Sequence, residues 1–185
     1  MPVASVDPMA SRMRRTFPAV GAALLALALV TGCAPEPAPT PTPTGFASDD
    51  EAFAAAEATY RAYVDALNAV DLSDPATFEP VYANLSGQAL ADEKKSLTTM
   101  SAEGWVVSGE SKVRAFFHGS ATETLTAVSC LDVSAIKLLN GFGESQVSPD
   151  RPDVYAFKLT FVQSSPTASP TLDSAAAIED ERCAA

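Results

Sequence analysis

The chain has 185 residues, with 12 Lys and Arg against 23 Asp and Glu and a single His, for a formal net charge of −11 at neutral pH. That acidity repels nucleic acid and anionic headgroups, so nucleic-acid binding is disfavoured and any hold on a membrane must come from something other than a basic surface. One imidazole and no clustered carboxylate triplet provide no metal-ligand set of the usual spacing; no Gly-x-Ser-x-Gly elbow or glycine-rich phosphate cradle is present, and no cofactor is expected.

In chain order, Arg12, Arg14 and Arg15 precede an uncharged run from Phe17 to Val30, which leads into Thr31, Gly32 and Cys33. Basic region, apolar run and small residues fall in the order of an export signal. The apolar run has 14 residues, short of the roughly 20 that a spanning helix needs, and a proline-rich stretch follows it at once. Met9 and Met13 are alternative starts to Met1. Arg14-Arg15-Thr16-Phe17 is faintly similar to a twin-arginine signal, so both the general and the twin-arginine routes stay open.

Leu29-Val30-Thr31-Gly32-Cys33 resembles the lipobox of bacterial lipoproteins. The resemblance implies that residues 1–32 are a signal peptide cut before Cys33. That cysteine then carries the lipid that anchors the protein in the cell membrane on its extracytoplasmic face. Loss of Arg12, Arg14, Arg15 and Asp7 leaves 9 cationic and 22 acidic side chains, a net charge of −13. With Cys33 lipidated, Cys130 and Cys183 form an even pair that an oxidising exterior would join. A bridge closing about 50 residues contributes roughly 4 kcal/mol. Two unpaired thiols or a metal site are the alternative.

Residues 33–48 form the linker. Ala34 to Thr44 alternates proline with small residues, which favours an extended polyproline spacer reaching roughly 30 to 40 Å, its threonines being candidates for glycosylation.

Residues 49–185 read as one domain. Ser48 is an N-cap for Asp49, Asp50 and Glu51, and Phe53, Tyr60, Val64 and Leu67 make an apolar stripe through about Ala69. Asp74-Pro75 caps a short second helix. A third helix runs from Gln88 to about Ser101, with Leu90, Leu97 and Met100 on one side, Asp92, Glu93, Lys94 and Lys95 mostly outward, and Gly104 at its end. The period then changes. Trp105 to Val107, Lys112 to Phe117, Leu125 to Leu131 and Val154 to Val162 have strand composition, and a weak last strand covers Leu172 to Ile178. Ser108 to Lys112 suits a hairpin turn, and Asn140-Gly141 is a turn signal. Helices followed by strands predict an α+β domain with the helices packed on a curved antiparallel sheet.

This element order, over about Asp49 to Cys183, resembles the NTF2-like (cystatin-like) fold. Ala102 to Val107, Cys130 to Ser134 and Asp150 to Asp153 are similar to segments of uncharacterised secreted lipoproteins of high-GC Gram-positive bacteria. The fold implies a cone between helices and sheet. An enzyme of the ketosteroid isomerase or polyketide cyclase type would need a base and an oxyanion donor inside it. Asp132 and His118 are the candidate bases; Tyr60, Tyr63, Tyr82 and Trp105 are candidate donors or walls. Each has a plainer role: Asp132 at a strand end, His118 in a turn beside Gly119, the aromatics in packing. The favoured expectation is a membrane-anchored module that binds a small apolar ligand or a protein, and the alternative is the cone-pocket enzyme. A homodimer through the sheet is a third expectation. The row Tyr155, Phe157, Leu159 and Phe161 bears on it, since it suits either core or interface.

Overall fold

A computed structural model describes residues 45–122 and 124–184. The expected signal peptide, the lipidation site Cys33 and the spacer through Thr44 lie outside the described residues. The fold is α+β, with helices first and strands afterwards.

Helix α1, Asp49–Asn68, begins where Ser48 Oγ accepts the Glu51 N–H at 3.2 Å while the Glu51 carboxylate accepts the Ala47 N–H at 2.7 Å. This exchange satisfies helix-start donors, and three acidic residues in the first turn complement the helix dipole. The helix buries Ala52, Phe53, Ala56, Thr59, Tyr60 and Val64, the face that the apolar spacing marks. A single 3₁₀ turn, Pro75–Phe78, capped by Asp74, runs into the four-residue helix α2, Glu79–Tyr82. Helix α3, Gly87–Ala102, ends at Gly104, whose φ of +67° lets its N–H reach the Ser101 carbonyl while the Trp105 N–H reaches that of Met100. A side chain at that φ would be strained, which is why a glycine stops the helix there.

Six strands follow: β1, Val106–Ser108; β2, Lys112–Ala121; β3, Leu125–Asp132; β4, Lys137–Leu139; β5, Val154–Val162; and β6, Thr171–Ile178. The main sheet is antiparallel in the order β2-β3-β5-β6, and β1 and β4 pair apart from it, Val106 opposite Leu139. The expected hairpin turn at Ser108 to Lys112 is therefore corrected: the segment links two sheets. Gly109, at φ +88°, lies where a Cβ would strike the Ala135 carbonyl. His118 is likewise corrected from a turn to the body of β2.

Alternation divides the sheet into two faces. Leu125, Ala127, Ser129 and Leu131 of β3 share one with Tyr155, Phe157, Leu159 and Phe161 of β5, and the helices cover it. Leu159 and Phe161 are 0% and 2% exposed, so at that end the row belongs to the core. On the opposite face Cys130 and Ala156 meet Cys183, from a 3₁₀ turn at Glu181–Cys183. Cys130 and Cys183 lie at disulfide distance, their Cα atoms 5.2 Å apart, as a bridge requires. Arg182 beside them stacks its guanidinium 4.3 Å above the Phe117 ring, so the polar tail is held to the sheet. At the β6 edge, the Ser86 N–H donates to the Leu172 carbonyl and the Leu172 N–H to that of Asn84, both at 2.9 Å. The chain entering α3 thus covers the start of the edge strand.

Candidate functional site

Past the C-terminal end of α1 the packing opens into a cavity of about 570 Å³. Leu67, Val70 and Leu72 wall it from the end of α1 and the turn after it, Leu97 and Met100 from α3, and Val107, Ile136 and Leu138 from the β1 and β4 region. The volume falls in the range of small-molecule sites, which are mostly apolar with a few polar groups. At one rim Asn68, the last residue of α1, acts as a surrogate peptide group. Its Nδ2 donates to the Ser111 carbonyl at 2.9 Å and its Oδ1 accepts the Ser111 N–H at 2.8 Å.

Glu93 lines this cavity from α3, and its Oε2 accepts the Tyr63 hydroxyl at 2.9 Å. The expected outward position of Glu93 is corrected. Leu90, Glu93, Leu97 and Met100 recur at steps of three, four and three, which places the carboxylate on the apolar stripe. Burial raises the Glu93 carboxyl above its ordinary value, against the opposing pull of the Tyr63 hydrogen bond. Burial, followed by the adjacent Glu93 charge, pushes the Tyr63 phenol well up. Among the described residues no buried side-chain nitrogen or oxygen lacks a partner. Among the described residues no donor other than the Tyr63 hydroxyl reaches the Glu93 carboxylate, which is not fully enclosed.

Arg151 lines the cavity from the loop before β5, and its Nη2 donates to the Val133 and Ile136 carbonyls at 2.7 and 3.3 Å. It ties that loop to the approach to β4. A shallower depression of about 510 Å³ shares Ile136, Leu138 and Arg151 and adds Tyr155 and Asp150.

Neither candidate base reaches the cavity. Asp132 points to the opposite face of β3, where it accepts the Ser134 hydroxyl and N–H at 2.6 and 2.9 Å and pairs with Arg114 at 2.8 Å. The Ser134 hydrogen bonds, with Arg114 adding to them, hold its carboxyl below the usual range. His118 is exposed, and its ring stacks on Phe53 with centroids 4.2 Å apart. Neither is brought to this cavity: Asp132 is turned away by the two-residue period, and His118 stacks on Phe53. Tyr60 is core; burial pushes its phenol up to about 12, against a lowering hydrogen bond with Ser129. Tyr82 packs edge-on to Phe78 beneath Lys94, and Trp105 packs half-buried against the core. Of the aromatic candidates, Tyr63 alone touches the cavity chemistry, through Glu93.

Among the described residues no three His, Cys, Asp or Glu side chains gather into a metal-binding group, and no helix is long and apolar enough to cross a membrane. Against known proteins, the chain matches no family model and no curated sequence.

Proposed function

We propose that this chain is a lipid-anchored extracytoplasmic lipoprotein whose NTF2-like domain binds a small, largely apolar molecule between its helices and sheet. The observation that carries the binding reading is the cavity of about 570 Å³ walled by Leu67, Leu97, Met100 and Leu138, at which the half-buried Glu93 carboxyl stands as a recognition group. The lipobox-like run ending at Cys33 and the proline-threonine spacer support presentation of the domain outside the membrane. The antiparallel β2-β3-β5-β6 sheet with helices across one face supports the NTF2-like cone. The Cys130 and Cys183 pair suits an oxidising compartment.

The test is native mass spectrometry of mature protein purified from its own envelope. It is expected to give diacylglycerol on Cys33 and a small molecule at one per chain, its load reduced in Leu138→Trp, which pushes an indole into the cavity. A protein that stays equally membrane-bound and processed before residue 33 as Cys33→Ser refutes the anchor. An unchanged ligand load in Leu138→Trp refutes the cavity.

A second reading, a small proton-transfer enzyme of the ketosteroid isomerase type, is favoured by one observation: the raised Glu93 carboxyl faces the cavity with Tyr63 behind it. In that reading Glu93 replaces Asp132 and His118 as the base. Turnover of an enolisable ketone that disappears in Glu93→Gln, with the fold intact, is the result that selects it.

A further inference from the structure

Which molecules suit the cavity follows from what its polar lining leaves unmatched. Asn68 is engaged in both directions by the Ser111 backbone. Arg151 is engaged by two backbone carbonyls, a pattern that fixes the loop and satisfies part of the guanidinium inside the protein. Glu93 is different. A carboxylate offers about four acceptor sites, and the described residues supply it one donor, the Tyr63 hydroxyl on Oε2. The Glu93 side chain lines the cavity beside apolar walls such as Leu97 and Met100, where an ionised carboxylate is poorly solvated and gains most from a charged donor.

A second carboxylate, Glu110, stands at the same cavity, and the domain carries an acidic excess that draws cations and repels anions. An anionic ligand head would meet Glu93 directly, while the lining cation, Arg151, already donates to the protein. A neutral hydroxyl could donate to the carboxylate but would leave its charge uncompensated. An ammonium supplies both the donor and the opposite charge.

We propose that the cavity selects amphiphilic organic amines, with the ammonium held by the Glu93 carboxylate and the hydrocarbon body against Leu67, Leu97, Met100 and Leu138. This rests on reading the cavity as a ligand site. Burial lifts the Glu93 carboxyl, and an ammonium beside it restores the charged form, so ligand and carboxylate stabilise one another.

Three water-soluble probes of one shape separate the two claims: cyclohexylmethylamine, cyclohexylmethanol and cyclohexanecarboxylate, titrated by ligand-observed NMR into the mature full chain. The amine should bind about tenfold or more tighter than the alcohol, as a charge-assisted hydrogen bond allows, with the carboxylate weakest. In Glu93→Gln the amine should fall to the level of the alcohol, while the alcohol stays within about twofold of its original affinity. Alcohol binding with the carboxylate equal to or tighter than the amine overturns the amine preference and leaves the cavity reading standing. Binding of none of the three overturns both. The wild-type ranking needs no variant, so a poorly folded Glu93→Gln protein leaves the proposal falsifiable. An amine preference that survives in folded Glu93→Gln overturns the assignment to that residue.

Discussion

The two ends of the helix-covered face are built from the same elements and finished differently. Under α1 from Phe53 to Tyr60, the side chains of Phe53, Ala56 and Tyr60 share a core with Ala127, Leu159 and Phe161 that has almost no accessible surface. There the buried polar atoms find partners inside the protein: Thr59 donates to the Pro170 carbonyl at 2.9 Å and Ser129 to that of Ala115 at 3.3 Å. Beyond Val64 the packing opens. The small β1-β4 pair forms the far wall, leaving a gap in which Glu93 has one donor. The closed end is therefore the tightly packed part of the face and the open end the part that exposes a carboxylate, because close-packed interiors tolerate neither voids nor unmatched charge.

The sharpest test of this division lies behind both ends. Cys183→Ser removes a staple between partners 53 positions apart and should lower stability by about 4 kcal/mol in oxidised protein. Probe binding should be unchanged, since Cys130 and Cys183 lie across the sheet from the cavity; denaturant titration and NMR read the two quantities separately. Leu159→Ala at the closed end should cost about 3 kcal/mol by the same denaturation. If it costs no more than Leu138→Ala at the open end, the contrast fails. Added volume should show the reverse asymmetry. Ala56→Leu, in a site that is 0% exposed, should cost about 2 kcal/mol, whereas Val107→Phe grows into the cavity and should stay within about 0.5 kcal/mol of wild type.

The smallest effect is a slope. Burial raises the folded Glu93 carboxyl above its unfolded value, so its contribution is present in acid and is lost as pH rises from the ordinary carboxyl range through the folded value. Glu93→Gln, whose amide oxygen still accepts from Tyr63, should flatten the stability profile there. A profile identical to wild type would mean that Glu93 is solvated like a surface acid.

Much of this frame could be read from local pattern. Ser48 with Glu51, the stripe from Phe53 to Leu67, Gly104 after α3 and the run Val154 to Val162 each express a short-range rule, and the elements stand where those rules put them. What escaped was long-range. That β1 takes β4 as its partner depends on residues some thirty positions apart, and the Ser108 to Lys112 segment has ordinary turn composition. Glu93 was legible in principle, because its steps to Leu90 and Leu97 mark the apolar stripe, but charge type outweighed spacing in a run of four charged residues. Asp132 shows the converse, a carboxylate with the right chemistry on the wrong side of an alternating strand.

Domains tethered to a membrane by lipid would crowd at high local concentration, the condition under which bare sheet edges join and aggregate. The chain at Asn84 to Ser86 already occupies the beginning of β6, and Glu179, Asp180 and Glu181 follow its far end as a charged guard. The opposite edge, β2, is irregular between Val113 and Ala115 and again between His118 and Ala121, and it carries Lys112 and Arg114 near its start. Both margins are thus poor templates for a neighbour's backbone, so a dense carpet of these domains should remain a population of separate, exchanging molecules.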